Sequence, residues 1–156
     1  METVGLGLHF EDLPVGRKFK TIGRTITETD IVNYVNCTGL TEVLFIDAEF
    51  REQESAIKGR FAPAMLAYAM AEGLLAQATM QHTALAFLSM ELNVHNPVFA
   101  GDTVHVEVEV VEARLSRSHP DRGLVRTRNE VVKQDGTKVL TYVPLRIVRC
   151  SKASQQ

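Results

Sequence analysis

The chain has 156 residues and a formal net charge of −2, from 17 basic against 19 acidic side chains. That length fits one domain able to bury a real core, and the balanced charge offers no basic stripe for a nucleic-acid surface. A hydrophobic content of 45% beside 23% charged residues excludes a disordered chain and describes an ordinary globular one.

Residues 1–16 read as an irregular lead-in closed by a turn at Pro14-Val15-Gly16. The start, METVGLGLHFEDL, has no basic leader and no long apolar run, so no signal peptide and a cytoplasmic location are expected. Cys37 and Cys150 fit that compartment as two reduced thiols. A strand is expected over Lys18–Ile26. Thr27 then reads as an N-cap, with Asp30 as its capping-box partner. The helix that follows, Glu28–Asn36, would turn Ile31, Val32, Tyr34 and Val35 inward and stop at Gly39. From Gly39 to Phe50 the pattern is irregular, a loop leading into a short helix near Asp47–Gln53. Lys58-Gly59-Arg60 is a small basic loop.

Phe61 to Met80 carries one formal charge, Glu72, in twenty residues. Met65, Leu66, Ala69, Met70, Gly73 and Leu74 recur at helical spacing, and Ala64, Ala67, Tyr68, Ala71, Leu75 and Ala78 cover much of the rest. A helix apolar nearly all round is buried or spans a membrane. Small residues, Pro63 at the first turn and a mid-span charge favour a core helix, so no membrane span is expected. Glu72, alone in it, requires a partner such as an arginine.

After the helix the period shifts from 3.6 towards 2. Ala84–Val94 is strand-like, broken by Asn96-Pro97, and Ala100-Gly101-Asp102 is a turn. Val104, Val106, Val108 and Val110 alternate with His105, Glu107 and Glu109, a half-buried strand. Ser116–Gly123 is a polar loop and Leu124–Lys133 a further strand. Asp135-Gly136 marks a hairpin. In the last strand Val139, Thr141, Val143, Leu145 and Ile147 are expected inward, with Pro144 at an edge or bulge. The order implies an α+β domain over residues 1–150, an antiparallel sheet curled around one long helix, with a polar tail at 151–156.

Three segments, ITETDIVNYVNCTG, AIKGRFAPAMLAYAMAEGLL and NPVFAGDTVHVEVEV, resemble the MaoC-like dehydratases, also called R-specific enoyl-CoA hydratases, within the hot-dog fold. The resemblance spans about Phe10 to Arg149. It implies a sheet wrapped around the central helix, action on acyl-CoA or acyl-carrier-protein thioesters without a cofactor, and homodimers joined by sheet edges. It also implies that backbone amides near Ala64 and Met65 polarise the thioester carbonyl, with Lys58 and Arg60 placed to meet a CoA phosphate.

The family's hydratase motif, Gly-Asp-x-Asn-Pro-x-His-x-Asp, falls on Gly39 to Asp47, where it fails. Leu40 stands at the catalytic Asp position and Phe45 at the His position, with Glu42 and Val43 at Asn-Pro. Neither Leu nor Phe can move a proton. Glu42 and Asp47 are the nearest acids and the candidate catalytic residues, Asp47 also standing where it would cap the short helix. Among the histidines, His95 is singled out by its place before Asn96-Pro97. No spacing suggests a metal site, and there is no phosphate loop or nucleophile elbow. Three readings stay open: a hydratase or dehydratase with a variant site, a non-catalytic acyl-thioester binder or silent subunit paired with a dyad-bearing hot-dog partner, and a thioesterase.

Overall fold

The computed structural model describes residues 1–151; all but the first residue of the expected tail lies outside the described residues. A 3-10 turn at Phe10–Asp12 precedes β1 (Lys18–Lys20) and β2 (Arg24–Thr25). Helices α1 (Glu28–Thr38), α2 (Val43–Ile46), α3 (Ala48–Gln53) and α4 (Ala64–Leu75) follow, then β3 (Ala84–Val94), β4 (Thr103–Leu115), β5 (Arg122–Lys133) and β6 (Lys138–Arg149). All strand pairs are antiparallel, in the order β1-β4-β5-β6-β3, with β2 also on β4. Among the described residues no helix is long and apolar enough to cross a membrane.

The expected strand over Lys18–Ile26 is two short ones. Thr21 breaks it: its backbone N–H donates to Val106 O, while its hydroxyl replaces a backbone acceptor for Val106 N–H. The α1 cap forms as read. Thr27 Oγ1 accepts from Asp30 N–H, and Asp30 Oδ2 accepts from Thr27 N–H. Gly39 ends the helix at a φ of 68°, a left-handed value that suits glycine. Only Ile31 and Val35 of its expected apolar face are buried; Val32 is exposed.

Helix α4 lies against the inner face of the sheet. Leu66, Ala67, Met70, Ala71, Leu74 and Leu75 are buried there, with Val104, Val106, Val108 and Val131 beneath. It is not swallowed as expected. Met65, Ala69 and Gly73, one side of the helix at i, i+4 and i+8, are exposed. The helix also ends at Leu75, and Ala76–Met80 widens into a π-turn.

Val139 is buried as expected, but from Leu140 on the last strand turns the other way from the expected one. Leu140, Tyr142, Arg146 and Val148 are buried, while Thr141, Val143, Leu145 and Ile147 are half-exposed. A one-residue shift exchanges the two faces of a strand, and what selects this one is Arg146, which faces inward to meet Glu72. Pro144 is likewise not at an edge, since β6 runs between β5 and β3. The β5–β6 pairing lapses opposite Val143 and Pro144, where a residue without an N–H is tolerated.

Candidate functional site

Pro63 caps α4 with no side chain that could take up the first amides. Leu66 N–H bonds Pro63 O, and Ala62 N–H bonds Val98 O. No described residue accepts from the N–H of Ala64 or of Met65. Open amides at a helix start favour an anion or a polarised carbonyl oxygen. Ala64, with Met65 next to it in the helix, lines a cavity of about 270 Å³ walled also by Phe45, Ile57, Phe61, Val94 and the turn from His95 to Val98. Its walls are almost wholly apolar side chains.

Phe45, at the family's histidine position, packs edge-on against Phe61 with ring centroids 5.5 Å apart. Two arginines fix the short α2 that carries it. Arg60 donates to Phe45 O at 2.6 Å and to both Glu28 carboxylate oxygens at 2.8–2.9 Å. Arg51, itself buried, donates to Leu44 O at 3.2 Å. The hydrogen bonds from Arg60 hold the Glu28 carboxyl below its ordinary range. Arg60 therefore serves a structural clamp, and Lys58 donates to the Glu52 carbonyl at 2.8 Å.

The two candidate acids flank α2 outside the cavity. Glu42 is exposed at the α2 N-cap position and makes no capping bond. Asp47 caps α3 by accepting from Phe50 N–H at 3.0 Å. Leu40 is exposed beside them. His95 adjoins the cavity, but its ring is turned to the outer face of the sheet, where Nε2 meets Thr141 Oγ1 at 3.0 Å. No carboxylate lines the cavity among the described residues.

A second polar group lies deeper. Glu72 Oε2 accepts from Arg146 at 2.6 Å, and the Arg146 guanidinium stacks over Phe87 at 5.5 Å. The lone charge in α4 thus has the arginine partner expected for it. Tyr142 and Asn129, both fully buried, complete this group. Tyr142 meets Tyr68 edge-on at 5.2 Å, and burial, reinforced by the Glu72 charge, pushes its hydroxyl pKa well above the ordinary value. Sequence reading missed both residues. The only hint was Arg146 inside an otherwise apolar strand, which fixes the register that turns Tyr142 inward.

The model of the family described as "MaoC like domain" matches residues 11–134. No curated protein matches the chain. A monoamine oxidase regulatory protein from Archaeoglobus fulgidus is 29% identical, with a TM-score of 0.81 over 93% of this chain and 96% of its own. An R-hydratase from Pseudomonas aeruginosa is 25% identical, with a TM-score of 0.75 over 94% of this chain and 88% of its own. A Mycobacterium tuberculosis protein with a double hotdog fold superposes with a TM-score of 0.80 at 22% identity, over 97% of this chain and 46% of that one. The architecture is the hot-dog fold.

Proposed function

Because the chain belongs to the MaoC-like domain family, we propose that it binds an acyl thioester at the start of α4 and lacks autonomous hydration chemistry. The open Ala64 and Met65 amides at the helix start, beside an apolar cavity that Ala64 lines, carry this reading. They would receive the thioester carbonyl oxygen, and the cavity walls would take the adjoining acyl carbons. The likeness to an R-hydratase supports an enoyl or hydroxyacyl group on CoA or an acyl carrier protein. Leu40 and Phe45 at the dyad positions, with no acid in the cavity, support binding over catalysis.

A hydratase reading rests on Glu42 and Asp47, the acids nearest Phe45; it requires one of them to leave its present position and enter the cavity. A thioesterase reading requires a carboxylate beside the α4 start, and release of free CoA, read with a thiol reagent, would reveal it. A cytoplasmic location fits the two free cysteines.

The partner is a second copy of the chain, or a dyad-bearing hot-dog protein, seated on the free edge of β3. That edge spans eleven residues and has no lysine or proline to blunt it. Gly73 supports the same surface. A mid-helix glycine costs about 1 kcal/mol relative to alanine, yet apart from its chain neighbours and the adjoining helix backbone no atom of this chain lies within 4 Å of where its Cβ would stand. A neighbouring helix approaching along Met65, Ala69 and Gly73 would account for it.

Calorimetric titration with butyryl-CoA tests the site. Ala64→Pro deletes one donor at the first helical position, where proline fits. The loss of one hydrogen bond, about 1 kcal/mol, should weaken binding about fivefold at unchanged folding stability. Equal affinity for the two proteins, or no binding by the parent, would overturn the assignment.

A further inference from the structure

The N-terminal lead-in, the exit of the π-turn and the end of β6 meet beyond the C-terminal end of α4, away from the Ala64 amides. Gly7 N–H donates to Gln81 O at 2.8 Å, and Leu8 N–H to Thr79 O at 2.9 Å. Gly7 permits that approach, because a Cβ there would collide with the Thr79 carbonyl. Arg149 N–H bonds Thr83 O, and Cys150 N–H bonds Asp121 O. Leu6, His9, His82, Asp121, Arg149 and Cys150 of these segments line a cleft of about 410 Å³.

The side chains left open there are donors. No described carboxylate pairs with the Arg149 guanidinium, and no described residue takes up the His82 ring. The nearby acids are engaged. Asp121 receives Arg122 through both carboxylate oxygens at 2.8–2.9 Å. Asp12 accepts from His9 N–H at 2.8 Å, and Glu11 from Ser151 N–H at 2.9 Å. Burial, reinforced by the Glu11 charge, pushes the Cys150 thiol above its ordinary range, so it adds no negative charge. The His82 backbone also stands apart. Its φ of 63° is left-handed, alone among the described non-glycine residues. Such backbone is unfavourable with a side chain present and is found at ligand sites. We propose that this cleft binds a phosphate monoester, its oxygens received by the Arg149 fork and by imidazole N–H groups of His9 and His82. Donors on three separate segments suit a tetrahedral oxyanion better than a planar carboxylate, which a single arginine fork satisfies. The size of the cleft matches an organic ligand rather than a bare ion. The site stands independently of what binds at the start of α4.

The test is titration of the full chain with glycerol 3-phosphate, followed by the imidazole resonances in NMR spectra at constant pH and ionic strength. The expected result is a saturable shift of the His9 and His82 rings, with those of His95 and His105 unmoved and chloride without effect. Arg149 is exposed, so Arg149→Gln should fold as the parent does and bind about tenfold more weakly, the loss of one charge-assisted contact. His82→Asn keeps a residue that accepts left-handed backbone and should weaken binding as well. No saturable shift, an equal response to chloride, or unchanged affinity in Arg149→Gln would overturn the proposal. Butyryl-CoA then separates the two sources of such a phosphate. Weaker binding of it by Arg149→Gln would assign the cleft to the carrier's own phosphate, and equal binding to a free phosphate monoester.

Discussion

Two helix caps show how single residues fix the region around the site. Asp47 was a candidate acid, and its carboxylate caps α3. Asp47→Ala should lower stability by about 1 kcal/mol, whereas Asp47→Asn, an equally good cap, should leave it nearly unchanged; thermal unfolding reads both. Thr27 and Asp30 make the corresponding pair at α1. Hydrogen bonds from Thr27, side chain first and then backbone, with Arg24 adding to them, hold the Asp30 carboxyl below its ordinary value of 3.8. A depressed carboxyl stabilises the fold above its unfolded pKa, and that contribution is lost as pH falls through the folded value. Thr27→Ala should therefore cost stability at pH 7 and show a shallower acid decline below about pH 4. These caps were legible because Thr-x-x-Asp and Asp before a short helix are local signals. What Glu42 does was not legible, since whether a carboxylate meets a cavity or solvent depends on residues distant in sequence.

At the level of elements, the α4–β6 contact carries the clearest energetic consequence. Glu72 and Arg146 are mostly buried and meet at 2.6 Å. Removing one partner strands the other, so Glu72→Leu or Arg146→Met alone should cost about 3 kcal/mol, and the double variant should recover most of it. Chemical denaturation of the four proteins checks the cycle. The need for a partner to Glu72 was readable from a charge in an apolar helix. Its identity was not, because the alternation in β6 is apolar on both faces: Val143, Leu145 and Ile147 compete with Leu140, Tyr142 and Val148 for the inner side. The strand over Ala84–Val94 was readable end to end. The break at Thr21 was not, because a hydroxyl accepting a ladder bond leaves no mark on a hydrophobic pattern.

On the scale of the molecule, the fold was legible because helix and strand periods follow one another once along the chain, with Val104 to Val110 as the plainest segment. The exposed side of α4 was not, since Met65, Ala69 and Gly73 look as apolar as the buried side. If that side and the β3 edge hold a second copy, the parent should sediment as a dimer. Ala69→Arg, placed on a surface that is open in the single chain, should then sediment as a monomer with an unchanged circular dichroism spectrum. A dimer that survives the substitution would put the interface elsewhere.

The claim on which the rest depends is thioester binding without a proton-transfer pair. It is met most directly by giving the purified protein a short trans-2-enoyl-CoA and following the conjugated thioester absorbance, with thermal unfolding measured in the same solution. The expected result is a raised unfolding temperature and no decline in absorbance. A sustained decline, abolished in Glu42→Gln or Asp47→Asn, would contradict it and make those carboxylates the working pair.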